Sequence, residues 1–252
     1  MTLVLIVRHG LTAATGSALT GRTPGISLDD RGRAQAAAVA ARLAEVKLDA
    51  IVSSPLERCY ETAEAIASAQ SWQTQAMRSP DGRPETAPQQ TVVPVQTDER
   101  FIEVGYGDWT GKPLRKLAHE QLWRTVQTYP SAVTFPGEEG EALADMQRRA
   151  IAGIRDWNAK LGQGATYLIC SHGDVIKAIL ADSLGLHLDM YQRINIDPCS
   201  LTVIRFTPLR PFVERQNDTG GSVATLIRSD KKTAGTAALP PGDAPVGGGA
   251  GG

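Results

Sequence analysis

The run Leu3-Val4-Leu5-Ile6-Val7 is uninterrupted, apolar and short, and it stops at Arg8-His9-Gly10. A continuous apolar run of this kind reads as a strand buried on both faces, the sort found in parallel sheets. Such sheets need helices on their faces, and the rest of the chain supplies them. Strands are expected near 2–7, 49–53, 92–96, 165–170, 200–206 and 211–216, and helices near 30–46, 55–69, 113–128, 138–161 and 174–184. Within 138–161, Leu143, Met146, Ala150, Ile154, Trp157 and Leu161 recur at three- and four-residue steps. That spacing marks a core stripe, so Trp157 is given no cofactor role. The expected fold class is α/β, a three-layer αβα sandwich around a mainly parallel central sheet.

In an open α/β sheet, residues just past a strand's carboxyl end face the ligand crevice. His9, between a guanidinium and a glycine at such a point, suggests a phosphate site with a nucleophilic imidazole. Three further elements follow. In Ser53-Ser54-Pro55-Leu56-Glu57-Arg58, Ser54 reads as an N-cap, Pro55 as the first helical residue and Glu57 as the partner in a capping box. Arg58 then falls in the first turn of a helix, where an anion is welcome and a guanidinium adds a bidentate clamp. Leu168-Ile169-Cys170-Ser171-His172-Gly173-Asp174 is again a strand ending in a His-Gly pair before an apolar helix. Phe101-Ile102-Glu103-Val104-Gly105-Tyr106-Gly107-Asp108-Trp109-Thr110-Gly111 is too rich in glycine for a regular element. It places the Glu103 carboxyl on a loop able to approach a substrate closely.

Each element alone is ordinary: a strand-end histidine usually serves the core, and a helical arginine usually faces water. The four together, in this order and spacing over roughly residues 1–206, resemble the histidine phosphatase superfamily, the phosphoglycerate mutase-like fold, branch 1. The chain looks closest to bacterial members labelled as phosphomutases or phosphatases. The resemblance implies that His9 is the nucleophile and that Arg8, Arg58 and His172 hold the phosphoryl oxygens. It implies that Glu103 protonates the leaving oxygen and then helps water attack phosphohistidine. Physical chemistry agrees with these roles. Neighbouring arginines keep His9 in its neutral, attacking form, and phosphoryl transfer depends mainly on positioning and charge stabilisation. The scheme requires neither metal nor cofactor.

The chain departs from the family pattern at Thr15, which stands where an asparagine is usual; its hydroxyl still donates to a phosphate oxygen. Gly21-Arg22-Thr23-Pro24-Gly25 lies near the family's substrate loop, and Arg22 is placed to meet an anionic group or to sit exposed. Thr15, Gly21, Arg22 and Gly173 are the candidate substrate-binding residues. The remaining histidines, His119 in a polar helix and His187 in a turn, are read as ordinary. Cys199 and Arg205 have the spacing of a Cys-x5-Arg phosphatase loop. The β-branched, glycine-free stretch between them reads instead as a strand, which does not curl into an anion nest.

Composition narrows the partners. With 26 basic against 27 acidic residues there is no electrostatic case for nucleic acid. No apolar window is long enough to span a membrane, the first apolar run is too short for a signal peptide, and three cysteines form no disulfide framework. Cytoplasm is the expected location and a small phosphate ester the expected partner; a homo-oligomer is compatible with the sequence. A phosphatase domain over 1–228 is expected to precede a disordered Ala/Gly/Pro-rich tail over 229–252, and 71–90 reads as a polar excursion. Residues 112–140 are short for the insertion that binds phosphoglycerate in mutase-like members. A phosphomonoesterase is therefore favoured over a cofactor-dependent phosphomutase. An inactive phosphate-binding module is disfavoured because nucleophile and acid are both present. A metal hydrolase is disfavoured because no compact ligand pair occurs.

Overall fold

The structure, a computed structural model, describes residues 1–70, 72–73, 90–91 and 93–220. The tail over 229–252 and most of the 71–90 excursion lie outside the described residues.

Strands β1 (Thr2–Arg8), β2 (Ala50–Ser53), β5 (Val95–Thr97), β6 (Thr166–Ser171), β7 (Leu201–Phe206) and β8 (Pro211–Asp218) form one sheet in the order β5-β2-β6-β1-β7-β8. A small antiparallel pair, β3 (Trp72–Gln73) and β4 (Gln90–Thr91), stands apart from it. The strands β5, β2, β6 and β1 run parallel, while β7 and β8 join antiparallel at β1's other side. Helices are α1 (Asp30–Leu43), α2 (Glu57–Ala69), α3 (Leu114–Leu117), α4 (Gln121–Thr128), α5 (Leu143–Leu161) and α6 (Gly173–Ser183).

Alternation along the strands divides the core in two. Leu5, Val7, Ile51, Leu168 and Cys170 pack with Val39 and Leu43 of α1 and Ala63 and Ile66 of α2. Val4, Ile6, Val52, Tyr167 and Ile169 face the other way, toward Met146, Ala150 and Ile154 of α5 and Ile176 and Ile179 of α6. A strand with both sets of side chains buried needs an apolar residue at every position, which is why β1 reads as an unbroken run. The three-layer αβα sandwich is the result.

Some element boundaries differ from expectation, each for a local reason. Helix α2 starts at Glu57, with the extended Leu56 as its cap, and no capping box forms. The Ser54 hydroxyl lies 2.8 Å from Nε2 of His172, and the Glu57 carboxylate accepts the Gly25 N–H instead. Helix α1 closes at Leu43 rather than 46. The span 113–128 divides into α3 and α4, which leaves His119 in the turn between them. Residues 138–142 are not helical: Gly140 bridges to Tyr106, Ala142 bridges to Thr134, and Glu141 donates its N–H to the Gly105 carbonyl. Strand β7 runs through 201–206 as expected. That strand occupies the stretch between Cys199 and Arg205, so no Cys-x5-Arg anion loop forms, and burial also pushes the Cys199 thiol up to about 12.

Candidate active site

Three neighbouring parallel strands, β2, β6 and β1, end side by side. Arg8 pairs with Ser171 and Ser53 with Cys170, so His9, His172 and Ser54 emerge at one level. The His9 N–H donates to the Ser171 carbonyl at 3.0 Å, and the Ser54 N–H to that of Cys170 at 2.9 Å. Arg8, His9, Thr15, Gly21 and Glu103 line one cleft with Leu19, Tyr106 and Leu114, about 380 Å³ counting its open mouth.

His9 is buried. Its Nδ1 lies 2.7 Å from the Gly10 carbonyl. A carbonyl only accepts, so Nδ1 carries the proton and Nε2 keeps its lone pair. Burial lowers the His9 pKa well below the ordinary histidine range, with Arg58 and then Arg8 adding to the effect. The ring is neutral at pH 7. The chain leaving it is tightly packed: a Cβ on Gly10 would meet the Gly32 carbonyl at 2.6 Å, and one on Gly32 would meet that of Leu11 at 2.0 Å.

Two guanidiniums flank this ring, both about 1% exposed. Arg8 donates through NH1 to the Ile196 carbonyl at 2.7 Å, and Arg58 through NH2 to that of Gly21 at 2.7 Å. Arg8 Nε, Arg58 Nε and Arg58 NH1 have no hydrogen-bond partner among the described residues. Buried charged donors left over in this way are a cradle for an anion. His172 caps α6 from its extended conformation, and its ring centroid is 5.3 Å from that of His9. Arg58 NH2, which only donates, sits 3.3 Å from His172 Nδ1, leaving the Nε2 proton for the Ser54 hydroxyl. Burial, then the Arg58 charge, keeps His172 neutral as well.

The motifs that meet here are those of a described family, whose model, "Histidine phosphatase superfamily (branch 1)", matches residues 4–79 and 85–219. The chain belongs to that superfamily. It is similar to phosphoserine phosphatase 1 of Hydrogenobacter thermophilus, 28% identical over 225 residues, 87% of this chain and 93% of the relative. It is also 28% identical over 207 residues to the Yersinia enterocolitica protein named probable phosphoglycerate mutase GpmB, with 82% and 86% covered. Among solved structures, Bacillus stearothermophilus YhfR superposes with a TM-score of 0.71 at 24% identity, over 86% of this chain and 98% of that one. The superfamily member is thus a phosphatase with a phosphoglycerate mutase-like α/β fold.

Across the phosphatase cleft stands Glu103, 4% exposed, on the loop between two 3-10 turns, Glu99–Phe101 and Gly107–Trp109. Burial raises its pKa to about 7, with the Asp174 charge adding to this and Arg58, the Val104 N–H and Arg8 opposing it. Glu103 Oε1 accepts the Val104 N–H at 3.0 Å, and Oε2 is 3.8 Å from His172 Nδ1. The loop is pinned at its start, where the Ser171 hydroxyl donates to the Phe101 carbonyl at 2.7 Å. It turns sharply at Gly107, whose φ is +53° and where a Cβ would lie 1.9 Å from the Pro136 carbonyl oxygen.

Of the candidate substrate-binding residues, Thr15 and Gly21 line the cleft. The Thr15 hydroxyl is bonded to the Thr12 N–H and hydroxyl, 2.9 Å each. Gly173 is the first residue of α6, beside His172 and outside that lining. Arg22 is also outside it. Its Nε donates to the Glu103 carbonyl at 2.8 Å and its NH2 to the Glu141 carboxylate at 2.8 Å. Arg149 reaches the same two groups from α5.

Behind Glu103 lies a buried polar chain that reading the sequence missed. The Tyr106 hydroxyl donates to Asp174 Oδ2 at 2.9 Å; Lys177 Nζ is 3.6 Å from Asp174 Oδ1 and donates to Gln192 at 2.9 Å. The available signal was Asp174 and Lys177, two charges three residues apart in the first half of a helix whose other charge, Asp182, lies near its end. Among the described residues, no group of three or more His, Cys, Asp or Glu is placed to hold a metal ion. No described helix is long and apolar enough to cross a membrane.

Proposed function

We propose that the protein hydrolyses small phosphomonoesters without a metal, through a phosphohistidine on Nε2 of His9. The observation that carries this is the neutral His9 ring, with Nδ1 bonded to the Gly10 carbonyl, between two buried guanidiniums that have unpartnered N–H groups. Nε2 attacks phosphorus as the ester oxygen departs and takes the proton held by Glu103. Arg8, Arg58 and His172 meet the charge on the phosphoryl oxygens, with Thr15 and Gly21 as the nearby cleft wall. Water then attacks the phosphohistidine, returns a proton to Glu103, and releases inorganic phosphate and the free imidazole. A carboxyl with its pKa near 7 is suited to both halves of the cycle.

The named activity of the Hydrogenobacter relative makes phosphoserine the first ester to test. Phosphate release is measured in chelator over a panel of phosphomonoesters, alongside His9→Ala. Release by the parent and none by the variant supports the reading; equal release by both refutes it. Mutase activity is the second reading, favoured by the similarity to the Yersinia protein. It requires conversion of 3-phosphoglycerate to 2-phosphoglycerate stimulated by the bisphosphate, and a coupled assay showing none eliminates it.

A further inference from the structure

Arg22, Glu141 and Arg149 come from three separate segments and meet on the outer side of the Glu103 loop. Both guanidiniums converge on one atom, the backbone oxygen of Glu103, at 2.8 Å from Arg22 Nε and 3.1 Å from Arg149 NH2. The Glu141 carboxylate lies between them, accepting from Arg22 NH2 at 2.8 Å and from Arg149 Nε at 2.7 Å and NH2 at 3.0 Å. It also accepts the Gly105 N–H at 3.1 Å, so it holds the loop two residues beyond Glu103. We propose that Arg22, Glu141 and Arg149 form a positioning clamp that sets the Glu103 carboxyl over the cleft, and that Arg22 serves this clamp rather than the substrate.

The inference rests on the reading of Glu103 as the proton donor. Two like charges drawn to one carbonyl repel unless an anion lies between them, and Glu141 is that anion. The side chains of Glu141 and Arg149 are 15% and 19% exposed, which shields their charge-assisted bonds from full solvent screening. Arg22 adds a second link. It follows Gly21, whose carbonyl accepts Arg58 NH2, so one short segment touches both the phosphate side and the acid side of the cleft. Proton transfer needs the acid within hydrogen-bond reach of the departing oxygen, and displacement by about 1 Å can cost on the order of 10²-fold.

The test compares Arg22→Gln, Arg22→Lys, Glu141→Gln and Glu103→Gln with the parent, using the full chain. Glycerol 2-phosphate supplies a poor leaving group without a carboxylate, p-nitrophenyl phosphate a good one, and phosphoserine a carboxylate. The values of kcat/KM report the first transfer, and inhibition by inorganic phosphate reports the phosphate side. The expected result for Arg22→Gln and Glu141→Gln is a fall of about tenfold or more on glycerol 2-phosphate. On p-nitrophenyl phosphate the fall is much smaller, inhibition by phosphate hardly moves, and Arg22→Lys recovers part of the loss. A lower Tm with an unchanged ratio between the two esters makes the cluster a structural tie and overturns the clamp. A loss by Arg22→Gln confined to phosphoserine makes Arg22 a substrate ligand and overturns it too. If Glu141→Gln does not fold, the half-exposed Arg22 decides alone. Glu103→Gln separates the two readings. If it spares the ratio, Glu103 is not the acid; if it collapses the ratio while the other variants spare it, only the clamp falls.

Discussion

The two walls of the cleft are built in opposite ways. On one, Arg8 and His9 line the cleft with Arg58 and His172 buried beside them, and all four sit within a residue or two of a strand or helix terminus. Parallel pairing of β1, β6 and β2 fixes their relative heights, so few side-chain bonds are needed to hold them. On the other, Glu103 and Tyr106 lie on irregular chain, held by the Arg22–Glu141–Arg149 clamp outside and by Asp174 within. The first wall is specified by backbone ladders. The second is specified by charges from distant segments, so it is the more easily disturbed by single substitutions.

That contrast can be broken or sharpened by measurement. His9→Ala should abolish covalent turnover, and acid-quench trapping should detect no phosphoenzyme; residual trapping would move the nucleophile elsewhere on that wall. Glu103→Gln should lower kcat/KM by about 10²- to 10⁴-fold on alkyl phosphates and far less on p-nitrophenyl phosphate. Equal losses on both would give the second wall a role other than proton donation. Arg58→Ala should cost on the order of 10²-fold on both kinds of ester, since charge on the phosphoryl oxygens does not depend on the leaving group. A leaving-group dependence for Arg58→Ala would erase the division between the walls.

Smaller effects follow from protons. Glu103 with its pKa about 7 predicts a fall in kcat/KM for alkyl phosphates as pH rises through 7, because the donor form is lost. Asp174→Asn keeps an acceptor for Tyr106 but removes the charge that favours the protonated acid. The alkaline limb should therefore move down by about one unit. Arg8, Arg58 and the Val104 N–H pull in the opposite direction and remain in place. A stationary limb would assign the proton affinity to burial alone.

The same group bears on stability. A raised folded-state pKa means full stability below the unfolded value near 4.5, declining as pH rises through about 7. Glu103→Gln should accordingly gain about 1–3 kcal/mol relative to the parent between pH 4.5 and pH 8, read from denaturant midpoints. No gain would place the cost of burying this carboxylate elsewhere.

The first wall was legible because each of its residues adjoins a pattern readable in short windows. His9 and His172 end apolar runs, and Arg58 opens a helix after another. The expected capping box at Ser54 failed for reasons no local window contains: its hydroxyl, which still accepts the Leu56 N–H at 3.4 Å, is also engaged by His172, 118 residues away, and Glu57 turns to the Gly25 N–H. Glu103 was legible as a carboxyl in glycine-rich chain, but its environment was not. Glu141 and Arg149 read as ordinary helical charges until Gly140 and Glu141 are seen pairing with the 105–106 loop. Asp174 and Lys177 are hidden by the apolar stripe of α6, and their partners Tyr106 and Gln192 come from elsewhere. Arg22 was recognised as a candidate, yet its target depends on a contact across 81 residues. Strand ends are local facts, whereas the acid's surroundings are tertiary ones.

The contact between Gly10 and Gly32 has a practical consequence for anyone seeking a hardier enzyme. Glycine within a helix costs roughly 0.5–1 kcal/mol relative to alanine, so helix propensity marks Gly32 in the first turn of α1 as an obvious site to improve. Here that guide misleads. The space an alanine methyl would need is occupied by the Leu11 carbonyl, two residues beyond the nucleophile. A stabilising campaign on helix glycines that includes the buried position 32 should select against itself through the chemistry, at a residue outside the cleft lining.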